Sequence, residues 1–211
     1  MDEFRALLGE PRNGGNVRPQ TTGRREIGWD GVPAQFNNGD NLFPADFFNT
    51  TSKLGAILAT TGTGFRNDST LFTGIDPAYG EQFNFFSANK IFSAVGSQII
   101  DVTFRVPGTT TPALVSGFGA VFSDVDAGNT SSLEYYAEDG RSLGRYQAPA
   151  RSDAAGLSFV GAKFDSVAVA RVRITAGQGA MGPGIADLSA GGTLDLVAVD
   201  DFLYGEPQAG L

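Results

Sequence analysis

The clearest signal in the chain is an alternation of apolar and polar residues. In "IDVTFRVP", Ile100, Val102, Phe104 and Val106 alternate with Asp101, Thr103 and Arg105, the period of a strand with one buried and one wet face. "SVAVARVRIT" repeats it, with Ala168, Ala170, Val172 and Ile174 opposing Val167, Val169, Arg171, Arg173 and Thr175. "VSGFGAVF", Val115 to Phe122, is apolar or glycine throughout, as expected of a central strand covered on both sides. Its Gly117 and Gly119 are expected to make room for bulky neighbours such as Phe104. "SLEYYA" and "RYQAP" flank Asp139-Gly140, a pair suited to the positive φ of a tight hairpin turn. "GLSFVGAKF" and "LDLVAVDDFLYG" supply two more strands. "DEFRALLG" has Phe4, Leu7 and Leu8 on one side of a short helix. The Gly- and Pro-rich "EPRNGGNVRPQTTGRRE" that follows reads as a linker. The organisation predicted is an N-terminal segment, 1–25, and a single β domain, 26–211. Strand signals separated by turns, with no helical pattern after the N-terminus, predict an all-β, two-sheet antiparallel jelly-roll β-sandwich.

Composition agrees and narrows the chemistry. The 211 residues include 29 glycines, and only 18% are charged, which suits one turn-rich domain. The formal net charge of −8 disfavours nucleic acid and anionic lipid as partners. There is no cysteine and no histidine, which removes disulfides, thiolate or imidazole metal sites and Ser-His-Asp catalysis. Carboxylates, Lys, Arg, Tyr, Ser and Thr remain. No apolar run is long enough for a membrane span and no leader pattern opens the chain, so a cytoplasmic protein or a mature exported form is expected.

Hard-oxygen chemistry is concentrated in two places. "SDVDAGN" places Asp124, Asp126 and Asn129 directly after a buried strand, and calcium takes several oxygens gathered by a loop. The spacing is not that of an EF-hand, and Asx residues also serve turns on their own. In "VDDF", Asp200 shares parity with Leu194, Leu196, Ala198, Phe202 and Tyr204. Asp201 shares it with Asp195, Val197, Val199 and Leu203. One carboxylate therefore enters an apolar neighbourhood, where it needs backbone donors, an arginine such as Arg171 or Arg173, or a cation shared with Asp30 of "GWDGVP". A bulge would reverse this parity downstream.

Other candidates are weaker. Glu134, Glu138 and Asp139 surround the hairpin, and a glycosidase needs two facing acids, but exposed Glu usually marks a solvated face. Of the aromatic residues, 17 are Phe and are read mainly as core. Tyr136 and Tyr146, with Glu134, are the candidate ligand platform. "TTGTGF" lacks the lysine and the helix of a phosphate loop and is read as a turn.

Several longer strings, "GRREIGWDGVPAQF", "LFPADFFNTTSKLGAIL", "FSANKIFSAVGSQIIDVTFRVPG", "GFGAVFSDVD", "ARVRITAG" and "VDDFLYGEPQ", resemble an uncharacterised family of secreted bacterial β-sandwich proteins from soil-type bacteria. The family is similar in pattern to galactose-binding-like jelly rolls of extracellular carbohydrate-binding modules. The resemblance runs from about Gly23 to Gln208. It implies export to the cell surface or medium, and a calcium joining the first and last strands, which maps onto Asp30 with Asp200 or Asp201. The chain has only one Trp, and its place beside Asp30 suggests packing of Trp29 rather than stacking on a ligand. The expected function is a non-catalytic, glycan-directed binding or surface module with a structural calcium and no membrane insertion. The alternatives are a carboxylate-based glycan hydrolase or lyase and a structural surface protein without a small ligand.

Overall fold

A computed structural model describes residues 1–15, 18–153 and 155–210. Asn16 and Val17, in the linker read from the sequence, lie outside the described residues. Two antiparallel sheets pack face to face. In the first, β7 (Gly117–Ser123) and β12 (Ala198–Gly205) form the centre, β10 (Leu157–Lys163) flanks β7, and β4 (Ile91–Val95) and β3 (Gly64–Asp68) extend beyond β12. β1 (Arg24–Ile27) pairs with the end of β12. In the second sheet, β5 (Ile99–Arg105) and β11 (Arg171–Thr175) are central, followed by β8 (Ser132–Tyr136) and β9 (Ser142–Gln147). β2 (Ala56–Ala59), β6 (Pro112–Leu114) and β13 (Gln208–Ala209) complete the other side. The antiparallel β-sandwich expected from the alternation is the fold that forms.

The period-two residues do what their chemistry requires. Ile100, Val102, Phe104, Val172, Ile174, Leu133 and Tyr135 point into one core with Phe118, Ala120 and Phe122 of the facing sheet. Trp29 sits at its centre, fully buried, stacked on Phe92 at 3.9 Å between ring centroids and met edge-on by Phe48 and Phe202. Trp29 is thus core. On the opposite, solvated face of the second sheet, Asp101 accepts hydrogen bonds from Arg171 and Arg173 at 2.7–3.0 Å. These arginines serve their own sheet and not the acids of "VDDF".

β7 is buried along its whole length because its outer face is covered as well. The N-terminal helix α1 (Asp2–Leu8) lays Phe4 and Leu8 on Leu203 and Phe159. Here the sequence expectation needs correcting, because the glycines of β7 do not make room for Phe104. A Cβ on Gly119 would lie 2.7 Å from Phe159 and 2.8 Å from Phe4, so the glycine accommodates the helix on the outer face. Gly119→Ala is expected to lower stability by about 1–3 kcal/mol through overpacking. Phe4→Ala, destabilising by itself because Phe4 is buried, should cost less in the Gly119→Ala chain than in the wild type, as read from denaturation midpoints.

The hairpin forms as expected. Gly140 has φ 83°, its amide donates to Ala137 O, and the Arg141 amide donates to Asp139 Oδ1 at 2.9 Å. The Asp-Gly pair is accounted for as turn chemistry.

A carboxylate nest at a sheet crossover and a cleft beside a bulge

The loop after β7 carries the chain from the first sheet to the second. At its start, Asp124 adopts a positive φ of 70°, and its amide donates to Gly156 O at 2.9 Å. The side chain turns inward, leaving 1% of the residue exposed; the Ala155 amide approaches the carboxylate, but neither oxygen accepts a well-formed hydrogen bond among the described residues. Asp126 Oδ2 is likewise buried without a well-formed hydrogen bond among the described residues, and the Asp126 carboxyl lies against that of Asp187. Asp187, from the loop before β12, completes a group in which one oxygen of each of the three carboxylates lies within 4.8 Å of the others. Asp187 is anchored from behind, accepting from the Leu196 amide at 2.7 Å and from the Ser189 amide and hydroxyl at 2.7 and 2.6 Å. A fourth acid, Asp195, is fully buried. It accepts from the amides of Asp126 and Ala127 at 3.1 and 3.2 Å and from the Thr130 hydroxyl, which fixes the shape of the loop.

The electrostatics are those of acids gathered without a counter-charge among the described residues. Burial, followed by the charges of Asp126, Asp187 and Asp195, pushes the Asp124 carboxyl up to about 7. Burial and the adjoining Asp187 push Asp126 up to about 6. Asp187 goes the other way: burial opposes ionisation, but the donors from Ser189 and Leu196 outweigh it and hold the group below the ordinary carboxylate range. An unpaired buried carboxylate is costly, and a bound cation inverts that cost. This buried triad could hold a metal ion. With only carboxylates converging, its donors suit a hard cation and not one that seeks sulfur or imidazole.

Asn129, the third residue considered in this loop, is exposed with φ 68° and shapes the turn. Asp187 was missed by the sequence reading because nothing in "GIADLSAGG" separates a ligand from a turn residue. Asp195 had left a signal, since it shares parity with Val197 and Val199, which are core.

The "VDDF" acids lie elsewhere. Val199 pairs with Phe122 but Phe202 with Ala120, so β12 uses three steps where β7 uses two, and a bulge occupies Asp200 and Asp201. Val197, Val199, Phe202 and Tyr204 consequently all face the main core, while Leu196, Ala198 and Leu203 face outward clusters. The simple alternation expected for this strand is broken at the bulge. Asp200 Oδ2 accepts from the Phe86 amide at 2.8 Å, and the Ser87 hydroxyl lies 3.3 Å from Asp200 Oδ1 and 2.8 Å from Asp201 Oδ1. Burial, reinforced by the charge of its neighbour, pushes Asp200 up to about 8, and burial raises Asp201 as well. Asp30 lies close by, its Oδ1 accepting from the Asn89 amide at 2.7 Å.

Asp30 and Asp201 share a cleft of about 610 Å³ with Glu26, Gly28, Arg12, Ser87 and the short helix α2 (Phe47–Thr50). The acids from the two ends of the chain thus do meet in space, but Asp124 and Asp126 belong to a different group with Asp187. Tyr136 and Tyr146, with Glu134, sit on β8 and β9. The Arg171 guanidinium covers the Tyr136 ring at 3.8 Å. Tyr146 is 42% exposed, with its ring packed edge-on against Tyr135, and Glu134 accepts from the Ser142 hydroxyl at 3.2 Å.

Fold and sites together define a two-sheet β-sandwich with a buried carboxylate nest at a sheet crossover. No protein-family model matches the chain, and no curated protein matches it. Among solved structures, it is similar to the crystal structure of the bacteriophage CBA120 tailspike protein 4 enzymatically active domain. The identity is 12%, the TM-score 0.34, and the match covers 81% of this chain and 21% of that one. The chain therefore spans about a fifth of the length of that structure, and so remote a likeness carries no weight for the site. No helix among the described residues is long and apolar enough to cross a membrane.

Proposed function

We propose that the chain is an extracellular, calcium-binding β-sandwich module directed at glycans, and not a catalyst. The observation that carries the reading is Asp124, whose two buried oxygens accept no well-formed hydrogen bond among the described residues and sit beside the carboxylates of Asp126 and Asp187. A cation of calcium's charge and oxygen preference satisfies all three at once, with water and neighbouring carbonyls supplying the rest of its six to eight ligands. Because the triad joins the crossover after β7 to the loop before β12, the ion ties together segments about sixty residues apart in the chain. Its role is structural.

The non-catalytic reading is supported by how the other acids are held. Glu26, which shares a cleft with Asp201, accepts from Arg24 at 2.8 Å and Arg5 at 3.2 Å. It is held below the ordinary carboxylate range: burial opposes this, and the arginines outweigh it. So clamped a carboxylate is a poor general base. Calorimetric titration with calcium is expected to show one site in the wild-type chain and none in Asp124→Asn. Undiminished binding by Asp124→Asn would overturn the assignment.

A further inference from the structure

The glycan-directed reading leaves open where a ligand sits, and the tyrosine face of β8 and β9 is poorly placed for it, since Arg171 already occupies the Tyr136 ring. We infer that the cleft between the β12 bulge and α2 is the ligand site, and that it takes a neutral, polyhydroxylated ligand of sugar size through Asp201, Glu26 and Arg12. This inference rests on the glycan-directed reading.

The volume of about 610 Å³ falls within the range of small-ligand clefts. Polar groups and the largely buried Phe47 and Phe48 line it together, a mixture that suits a ring with hydroxyl rims and C–H faces. Among the described residues Arg12 is the only cation lining the cleft, against three acids, which disfavours anionic ligands. Glu26 is already neutralised by arginines, which removes much of the pull on an amine. Ser87 offers one hydroxyl proton to two carboxyls, so Asp200 and Asp201 are best satisfied as a pair holding a proton between them, and burial raises both. Asp200 then holds the shared proton toward Asp201, so Asp201 presents acceptor oxygen to a ligand hydroxyl while the Arg12 guanidinium supplies the donors.

Gly28 keeps this group reachable. A Cβ there would come 3.4 Å from Asp201 Oδ1, so a larger side chain would close over the acid. The backbone at Gly28 is extended, with φ −110° and ψ 131°, so such a side chain is accommodated without strain.

The test is a panel of immobilised neutral, uronic-acid and amino-sugar oligosaccharides, probed with the calcium-loaded full chain, followed by titration of the best neutral binder. At least a tenfold loss of affinity is expected in Gly28→Leu and in Arg12→Ala. The Arg12 side chain is 62% exposed, so its removal leaves the fold intact. Tyr146→Ala should bind as the wild type does. Loss in Tyr146→Ala with unchanged binding by Gly28→Leu would place the ligand on the sheet face and overturn the cleft while leaving the glycan reading standing. Binding confined to uronic-acid or amino-sugar chains would overturn the neutral-ligand assignment. No binding to any oligosaccharide would overturn the glycan reading and the cleft together.

Discussion

Glu206→Ala is expected to destabilise the chain by about 3–5 kcal/mol, because it strands a buried charge. Arg25 has no exposed surface and the Glu206 side chain is 1% exposed. The pair is bidentate, with Arg25 Nε donating to Oε2 at 2.6 Å and Nη2 to Oε1 at 2.7 Å. Arg25 Nη1 also donates to the carbonyls of Gly14 and Lys53 at 2.8 and 2.9 Å. Glu206 in turn accepts from the Asn13 side chain at 2.9 Å and the Gln20 amide at 3.0 Å. This network therefore ties the N-terminal segment, the turn before β2 and the end of β12 to one point. Removing both charges should cost less than removing one, since desolvation of a buried pair offsets much of its attraction. Chemical denaturation of Glu206→Ala, Arg25→Met and the Arg25→Met, Glu206→Leu double variant should show that non-additivity. Equal losses in the double variant and the sum of the singles would contradict it.

The second large effect is in pH. In metal-free protein the folded chain holds protons on Asp124, Asp126 and Asp200, with carboxyls pushed to about 7, about 6 and about 8. The ordinary value is 3.8. A carboxyl raised on folding binds more protons in the folded state than in the unfolded one throughout that interval. Stability is therefore highest near pH 4 and falls as pH rises toward 8. Each such group adds to that fall between its unfolded and folded values, less so where solvent screens it, as at Asp126. The lowered acids, among them Glu26, Asp68, Asp101 and Asp187, act in the opposite sense, but only as pH falls through and below their unfolded values near pH 4. Melting temperature in chelator is thus expected to drop steadily from pH 5 to pH 8.

Much of this molecule was legible as pattern. Alternation in Ile100–Phe104 and in Val172–Ile174 located the central strands and their buried faces, because a strand has only two faces to offer. The unbroken apolar run of β7 announced burial on both sides, though not that α1 would supply the second cover over Gly119. The site was legible in halves. Asp124 and Asp126 stand in one loop directly after a buried strand, and that placement marks them as candidate ligands. Asp187 arrives from some sixty residues away, and only the packing of the two loops brings it there. The "VDDF" acids show a different limit: one inserted residue shifts every downstream side chain to the other face, and no feature of the local sequence dictates that insertion. The Arg25–Glu206 pair was equally hidden, since both residues look like ordinary surface charges until burial is known.

On the proposed calcium reading, a cation of that type completes the Asp124, Asp126 and Asp187 nest. The most direct test is the melting temperature at pH 8, measured in millimolar calcium and in chelator. A ligand bound only by the folded state stabilises it by about 4 kcal/mol when present at a thousand times its dissociation constant. Calcium is expected to raise the melting temperature by many degrees at pH 8, by much less at pH 5, where Asp124 and Asp126 hold protons, and not at all in Asp124→Asn. A wild-type melting temperature at pH 8 that is the same in calcium as in chelator would contradict the claim.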